Sequence, residues 1–162
     1  MSQTRNQETE GKIEAFWKSC REYLPVEDRD ASFSSWFFGD SAALAEELLG
    51  LVISGVKTAT CGALFDYEWE GISIPEVGSY HIVTDFSGEP RCLIQLSNVK
   101  ICTFGGVTAD FAAAEGEGDR SLKSWRAGHQ AFFERRAAET GNVFDENITL
   151  VLEYFKVIYA KA

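Results

Sequence analysis

The sequence lacks the segments that direct a chain into or across a membrane. It contains no run of about 18 apolar residues, so it predicts no membrane-spanning helix. Its first twelve residues, MSQTRNQETEGK, are polar and hold no apolar stretch, which argues against a secretory signal peptide. Only three residues are proline, which argues against long proline-rich linkers. We therefore expect a cytoplasmic protein with no membrane partner.

Metal-binding side chains are scarce and badly spaced. The chain has four cysteines, none of them in a Cys-x-x-Cys pair, and two histidines. A zinc site would need closer ligand pairs, so we predict free thiols, no metal site and no cofactor. The residues concerned are Cys20, Cys61, Cys92, Cys102, His81 and His129.

Basic residues are also few, with 15 Lys and Arg against 25 Asp and Glu and a formal net charge of −10. Binding to an extended duplex needs a broad basic surface, because phosphate neutralisation supplies most of the affinity. The balance therefore argues against wrapping long nucleic acid. It leaves room for a small pocket that takes one nucleotide or a short single strand.

The patterns that are present predict an α+β fold. One hairpin followed by long gaps lacks the alternating βαβ rhythm of a doubly wound sheet, so we expect a small curved sheet or β-barrel of about five to six strands with flanking helices. We expect a flexible tail over 1–10 and one domain over 11–162. The predicted helices cover 11–24, 42–54, 108–114 and 121–140; the predicted strands cover 57–64, 80–86, 92–104 and 148–159; 33–40 is a strand or an irregular segment, and 65–71 a short helix or an irregular crossing.

The segment 55-GVKTAT-60 has two interpretations. It lacks the pattern of a phosphate-binding loop. In the structural interpretation Gly55 caps a helix, Lys57 favours the negative helix end, and Thr58 and Thr60 are strand residues. In the functional one Lys57 acts with the Thr60 hydroxyl, as a base of lowered pKa or as an oxyanion stabiliser. Because residues three apart face opposite sides of a regular strand, that pair requires a turn between them.

The segment 114-AEGEGDRS-121 carries charged residues between glycines. It could be a plain helix connection in which Asp119 caps the helix that starts near Ser121. It could instead line a cleft, where Glu115 holds a lysine or a substrate proton and Arg120 receives a phosphate or a base edge.

Trp125 and His129 share one face of the long helix, because they are four residues apart. Trp125 could stack on a nucleobase, although such a stripe is more often core. No matching nucleophile spacing supports His129 as a lone catalytic base.

Together, four segments resemble an ASCH-domain protein of the PUA-like superfamily, from about Trp36 to Tyr159. They are Gly55-x-Lys57-x-x-Thr60 after a leucine-rich helix, 67-YEWEGISIPEVG-78, 108-TADFAAAEGEGDRSLKSWRAGHQAFF-133 and 149-TLVLEYFKVIY-159. The resemblance implies a β-barrel with a cleft suited to single-stranded RNA or a modified nucleoside. The N-terminal helix and the long helix over 121–140 depart from the small members of the family.

The resemblance also implies site residues and two activities. Small members are amidohydrolases that remove the acetyl group from N4-acetylcytidine with a lysine, a threonine and a glutamate, and larger bacterial members are linked to RNA binding and to cleavage of single-stranded RNA. Lys57 and Thr60 match the first two residues, and Glu115 is the best match for the glutamate, with Glu117 as its competitor. The substrate-binding residues expected are Thr58, Glu117, Arg120, Ser121 and Trp125.

Two mechanisms and one alternative function follow from the resemblance. Neutral Lys57, its pKa lowered by burial, would take the proton of Thr60, whose oxygen attacks an amide carbonyl while Glu115 orients the lysine or the leaving amine. Alternatively Glu115 activates water while Lys57 polarises the carbonyl. The non-enzymatic alternative is an RNA- or nucleotide-binding regulatory module that uses the same cleft.

Overall fold

The structure is a computed structural model that describes residues 7–162. The first six residues of the predicted tail lie outside this range, and residues 7–10 are helical. No described helix is both long enough and apolar enough to cross a membrane. The helices are α1 (Gln7–Cys20), α2 (Ala42–Ile53), α3 (Leu64–Glu70), α4 (Ala109–Glu115) and α5 (Leu122–Thr140); the strands are β1 (Phe33–Trp36), β2 (Ala59–Ala63), β3 (Tyr80–Thr84), β4 (Pro90–Thr103) and β5 (Thr149–Ala160).

The five strands form one mixed sheet in the order β1-β3-β4-β5-β2. β1 runs parallel to β3, while β3 with β4 and β2 with β5 are antiparallel. The α+β class and a count of five strands agree with the sequence analysis. Closure into a barrel is not found among the described strands, whose order leaves β1 and β2 at the two ends.

Helix ends follow local chemistry that the sequence displays. Ser41 caps α2 through its hydroxyl, which accepts a hydrogen bond from the Leu44 amide. Gly55 and Gly141 adopt left-handed conformations after α2 and α5, with φ of 79° and 73°, as the predicted C-terminal caps require. Ser121, and not Asp119, caps α5.

The chain falls into two compact units that alternate along the sequence, so the predicted single domain over 11–162 stays a prediction. Unit 1 comprises Met1–Gly55, Gly78–Gln95 and Lys156–Ala162, and unit 2 comprises Val56–Val77 and Leu96–Phe155. The division passes through β4 and β5, which each contribute to both units.

The core of unit 1 is the apolar stripe of α1 packed on strand residues. Its buried members are Ile13, Phe16, Trp17, Cys20, Leu24, Tyr80, Ile82 and Leu93. Spacings of three and four residues place the α1 members on one helix face, so the helix forms where its stripe can be buried. Burying one such large side chain contributes about 1.5–3 kcal/mol.

The core of unit 2 collects one face of β2 and β5 together with α4 and α5. Its buried members are Ala59, Ala63, Phe104, Val107, Phe111, Ala112, Trp125, Phe133, Leu150 and Leu152. The predicted stripe of α5 is therefore core at Trp125 and Phe133. All four cysteines of the chain are free thiols, as expected.

Candidate functional site

The segment before β2 is anchored on both sides by Thr58. The Thr58 amide donates to the Ala114 carbonyl at 2.8 Å, and the Thr58 carbonyl accepts from the Phe155 amide at 3.0 Å. The Thr58 hydroxyl also donates to the Ala114 carbonyl, at 3.1 Å. Thr58, predicted to bind substrate, thus ties the segment to the end of α4 and to β5.

Gly116 allows the loop after α4 to lie against this segment. Its φ is 71°, and a Cβ there would come within 2.5 Å of the Val56 carbonyl oxygen. Any side chain would therefore be strained and would also collide with backbone. The close approach brings Glu115 and Glu117, the residues on either side of Gly116, to the same lysine.

Lys57 is a buried ammonium group held between these two carboxylates. Its Nζ lies 3.1 Å from Glu115 Oε1 and 2.7 Å from Glu117 Oε1, and its side chain is 1% exposed. Burial lowers the pKa of Lys57, but the two carboxylates outweigh burial and raise it above its ordinary value. The expectation of a neutral lysine of lowered pKa is therefore wrong, because its partners favour the charged form.

Glu115 is equally buried and is surrounded by donors. Its second oxygen, Oε2, accepts hydrogen bonds from Trp125 Nε1 and from His129 Nε2, the latter at 2.9 Å. Burial by itself would raise the pKa of this carboxyl, but the attraction of Lys57 and His129 outweighs burial and lowers the pKa to about 2. Glu115 is therefore an ionised group whose lone pairs are occupied.

His129 is the second cation of the cluster. Its Nδ1 lies 2.9 Å from the Trp125 carbonyl oxygen, which can only accept, so Nδ1 carries a proton. Nε2 faces the ionised Glu115 and donates to it. Burial lowers the pKa of His129, but Glu115 raises it above its ordinary value. The ring is thus an imidazolium, stacked on the Trp125 indole with centroids 4.1 Å apart.

Cys61 completes the surroundings of Glu115, with Sγ 3.8 Å from Oε2. Burial and the nearby carboxylate raise the pKa of this thiol well above its ordinary value, so it is a poor nucleophile. The potential ligand atoms of Cys61, Glu115 and His129 lie within 4.8 Å of one another. Lys57 and Trp125 already donate to the same carboxylate, so the cluster is electrostatically complete as a network of ion pairs and hydrogen bonds.

Thr60 lies on the opposite side of β2 from this cluster. The chain runs extended alongside β5 from Thr58 to Ala63, with Thr60 paired to Glu153. Lys57 and Cys61 both reach Glu115, and alternation along an extended chain directs Thr60 to the other face. This alternation does not direct the Thr60 hydroxyl towards Lys57, and the catalytic role of Thr60 stays a prediction.

The remaining predicted binding residues differ in what they offer a ligand. The Glu117 side chain is 26% exposed. Arg120 donates through two guanidinium nitrogens to the Ala113 carbonyl, at 3.3 and 3.1 Å, and so holds the loop. Ser121 caps α5. Trp125 is 3% exposed, so its ring is core and is not a surface on which a base could stack.

The sequence analysis missed Cys61 and considered His129 only as a lone base. A signal existed for each. Cys61 is four residues from Lys57, which puts both on one side of an extended chain. His129 is one helical turn after Trp125, and a carboxylate partner for both could have been sought in the neighbouring glutamates.

The chain is similar to a known family and to solved structures. The family model described as the ASCH domain matches residues 34–159. One similar solved structure is the crystal structure of an ASCH domain from Lactobacillus crispatus. Its sequence is 35% identical to this chain, the TM-score is 0.81, and the alignment covers 98% of each chain. Protein EF3133 from Enterococcus faecalis is 33% identical with a TM-score of 0.79, covering 91% of this chain and 88% of the other.

A more distant structure, the hypothetical protein PH0355, shares the fold at 12% identity with a TM-score of 0.51. It covers 78% of this chain and 99% of its own. No curated protein sequence matches the chain.

Proposed function

Because the chain belongs to the ASCH-domain family, whose PUA-like fold is generally associated with RNA binding, we propose that it binds single-stranded RNA or a modified nucleoside and hydrolyses an acylated nucleoside such as N4-acetylcytidine. One observation carries the hydrolase part. A fully buried ammonium, Lys57, is paired with Glu117, a carboxylate that remains partly exposed. Strongly shifted titratable groups beside an accessible one are typical of functional sites.

The two glutamates have different tasks in this proposal. Glu115 is 1% exposed and already accepts from Lys57, Trp125 and His129, so it positions the lysine and does not touch substrate. Glu117 can exchange its contact with Lys57 for one with water or substrate. Glu117, the competitor in the sequence analysis, is therefore the residue that acts on the substrate.

The reaction runs through water. Glu117 accepts a proton from a water molecule, whose oxygen forms a bond to the amide carbonyl carbon. The negative charge that develops on the carbonyl oxygen is stabilised by the Lys57 ammonium, which Glu117 has vacated. The intermediate then breaks its bond to N4, which takes the proton from Glu117, and the products are an amine and acetic acid, which loses its proton to solvent to give acetate.

The alternative route through Thr60 has less support. It requires a neutral lysine within reach of the hydroxyl, whereas the carboxylates favour the charged lysine and alternation along β2 separates the two side chains. Thr60 is given another task below.

The test is release of acetate from N4-acetylcytidine by the full chain. Glu117→Gln should lower kcat by about 100-fold or more, the usual contribution of a general base. The exposed Glu134→Gln on α5 is the matched control and should leave turnover unchanged. No acetate release by the wild-type protein would refute the hydrolase, and full activity of Glu117→Gln would refute the assignment of the base.

A second candidate is a binding module without catalysis, with a specific observation in its favour. Both cations of the cluster already face carboxylates, so Glu117 would have to leave Lys57 before it could act as a base. The excess of ten negative charges also favours a small ligand over coating of long RNA. Two results together would favour the binding module. Cytidine would shift amide resonances near Lys57, and the protein would turn over neither N4-acetylcytidine nor a short unstructured RNA, with or without magnesium.

A further inference from the structure

A second group of polar side chains lies on the face of β2 that carries Thr60. Its centre is Glu153 of β5, whose Cα is paired with that of Thr60 across the antiparallel ladder. Glu153 is 5% exposed, and its Oε1 accepts a hydrogen bond of 2.5 Å from the Tyr67 hydroxyl. None of these three residues contributes to the reaction proposed above.

Two polar atoms of this group have unused hydrogen-bonding capacity. Across the described chain, 7–162, nothing hydrogen-bonds to the Thr60 hydroxyl or to Glu153 Oε2. Glu153 Oε2 is also not sealed from solvent, unlike Arg126 Nε, which is fully buried without a partner among the described residues. Because solvent reaches Glu153 Oε2, a ligand donor can replace water at this oxygen without breaking a hydrogen bond within the described protein.

Gly62 lets the Tyr67 ring pack closely against this face of β2. Gly62 follows Thr60 on the same side of β2, and a Cβ at Gly62 would lie 3.0 Å from Tyr67 Cε2 and 3.3 Å from its hydroxyl. The missing side chain lets the Tyr67 ring lie across the strand, from where its hydroxyl reaches Glu153. The tyrosine thereby holds one carboxylate oxygen and leaves the other available to a ligand.

We infer that Thr60 and Glu153 form a second ligand-contacting site in unit 2, which takes the hydrogen-bonding edge of a nucleobase. Side chains directly opposite each other in an antiparallel pair have Cβ atoms about 4.5–5.5 Å apart. An acceptor carboxylate beside a hydroxyl that can donate matches an edge that offers an N–H next to a ring nitrogen or carbonyl oxygen. Single-stranded nucleic acids are recognised through such edges.

This inference rests on the proposed function, because it takes the ligand to be a nucleoside or RNA. It adds that Thr60 binds and does not attack, and that Glu153 contacts a base other than the one whose N4-acetyl group reaches Lys57 and Glu117, because the two groups lie on opposite faces of β2. Glu153 carries no role in the resemblance or in the hydrolytic cluster, which contacts the other face of β2.

The experiment is an amide-resonance titration of the full chain with cytidine at pH 7.5, with ribose 5-phosphate as the probe that lacks a base. Cytidine should shift the amide resonances of Thr60, Gly62 and Glu153, and ribose 5-phosphate should not. Glu153→Gln replaces the accepting oxygen by a donor and should weaken cytidine binding about tenfold. Thr60→Val should weaken it severalfold, and Thr60→Ser should restore it.

Each outcome decides a different question. Cytidine shifts confined to the surroundings of Lys57 and Glu117, or unchanged affinity in both Glu153→Gln and Thr60→Val, would overturn this inference and leave the proposed function standing. No binding of cytidine by the wild-type chain, together with no turnover of N4-acetylcytidine, would overturn both. The exposed Glu134→Gln is the control for loss of one acidic group, and the wild-type shift pattern by itself locates the bound base even if a variant fails to fold.

Discussion

Glu115 and Glu153 are two glutamates of the same unit, nearly equally buried, that lie on opposite sides of β2. Burial opposes ionisation of both. Lys57 and His129 lower the pKa of Glu115 to about 2. Glu153 has a tyrosine hydroxyl as its one hydrogen-bond partner among residues 7–162, and burial raises its pKa to about 6. At nearly equal burial, the charged partners of a carboxyl therefore decide whether its pKa falls below or rises above its ordinary value.

The same contrast separates the two histidines. In unit 1, burial lowers the pKa of His81 to about 4. His81 Nδ1 accepts a hydrogen bond from Trp36 Nε1, so Nε2 carries the proton and faces the Ser79 hydroxyl at 2.8 Å. In unit 2, Glu115 makes His129 a cation. A carboxylate neighbour is the difference between a neutral and a charged buried imidazole.

The largest expected effect comes from removing the lysine partner of Glu115. Lys57→Met should lower the free energy of unfolding by about 3–5 kcal/mol, because it removes one partner of a buried ion pair and leaves a buried carboxylate behind. Urea denaturation at pH 7 measures it. The exposed Lys123→Met on α5 should change the free energy by less than about 0.5 kcal/mol.

A double variant tests whether that loss of stability comes from the ion pair between Lys57 and Glu115. Lys57→Met combined with Glu115→Gln should recover part of the stability, because the buried carboxyl that has lost its lysine partner is no longer charged. If the losses of unfolding free energy in the two single variants simply add up in the double variant, Lys57 and Glu115 are not coupled. That result would refute the buried ion pair.

The next test concerns Glu153 and the sign of its pH dependence. Its folded-state pKa is raised from 4.5 to about 6, so the protonated form stabilises the fold below pH 4.5 and this stability is lost as pH rises through 6. The loss amounts to about 2 kcal/mol. Relative to the wild type, Glu153→Gln should therefore gain about that much stability between pH 4 and pH 7.5.

Chemical denaturation at the two pH values measures this difference. The exposed Glu68→Gln on α3 is the control for loss of one acidic group and should show no such gain. A constant difference between Glu153→Gln and the wild type at both pH values would contradict the raised pKa.

The smallest effect is a change in the titration of one imidazole. Because the chain has two histidines, NMR can follow both in one experiment. His129 should titrate above 6.5 and His81 near 4. Glu115→Gln should lower the pKa of His129 and leave His81 unchanged, and two histidines that both titrate near 6.5 would remove the contrast on which this comparison rests.

Much of the fold was accessible from the sequence because its causes are local. The stripe of Trp125 and Phe133 recurs at helical spacing, Gly141 stands where α5 needs a left-handed cap, and the β-branched and aromatic residues over 148–159 match β5. The start of α1 was missed because Gln7–Glu10 are polar and show no apolar period. The barrel was expected from the strand rhythm as well as from the resemblance, but closure depends on pairings between distant segments, and the described strands do not close.

The candidate site divides in the same way. The association of Lys57 with Glu115 and Glu117 followed from the motifs, and the structure places all three together. The protonation of Lys57 did not follow, because it depends on how many carboxylates reach one ammonium. The position of Thr60 was open for a similar reason: the period of a strand separates Thr60 from Lys57, but only the register with β5 shows that Glu153 lies opposite.

The sequence by itself determined most of the helices, the glycine caps after α2 and α5, the family segments, and an acidic balance that favours a small ligand, since these follow from short-range spacing and from totals. Only the tertiary structure decided which residues are charged and which can meet a ligand. Lys57 and Glu115 are 58 positions apart, and Tyr67 and Glu153 are 86 apart. The energy of a buried charge depends on distances between such residues, and folding sets those distances.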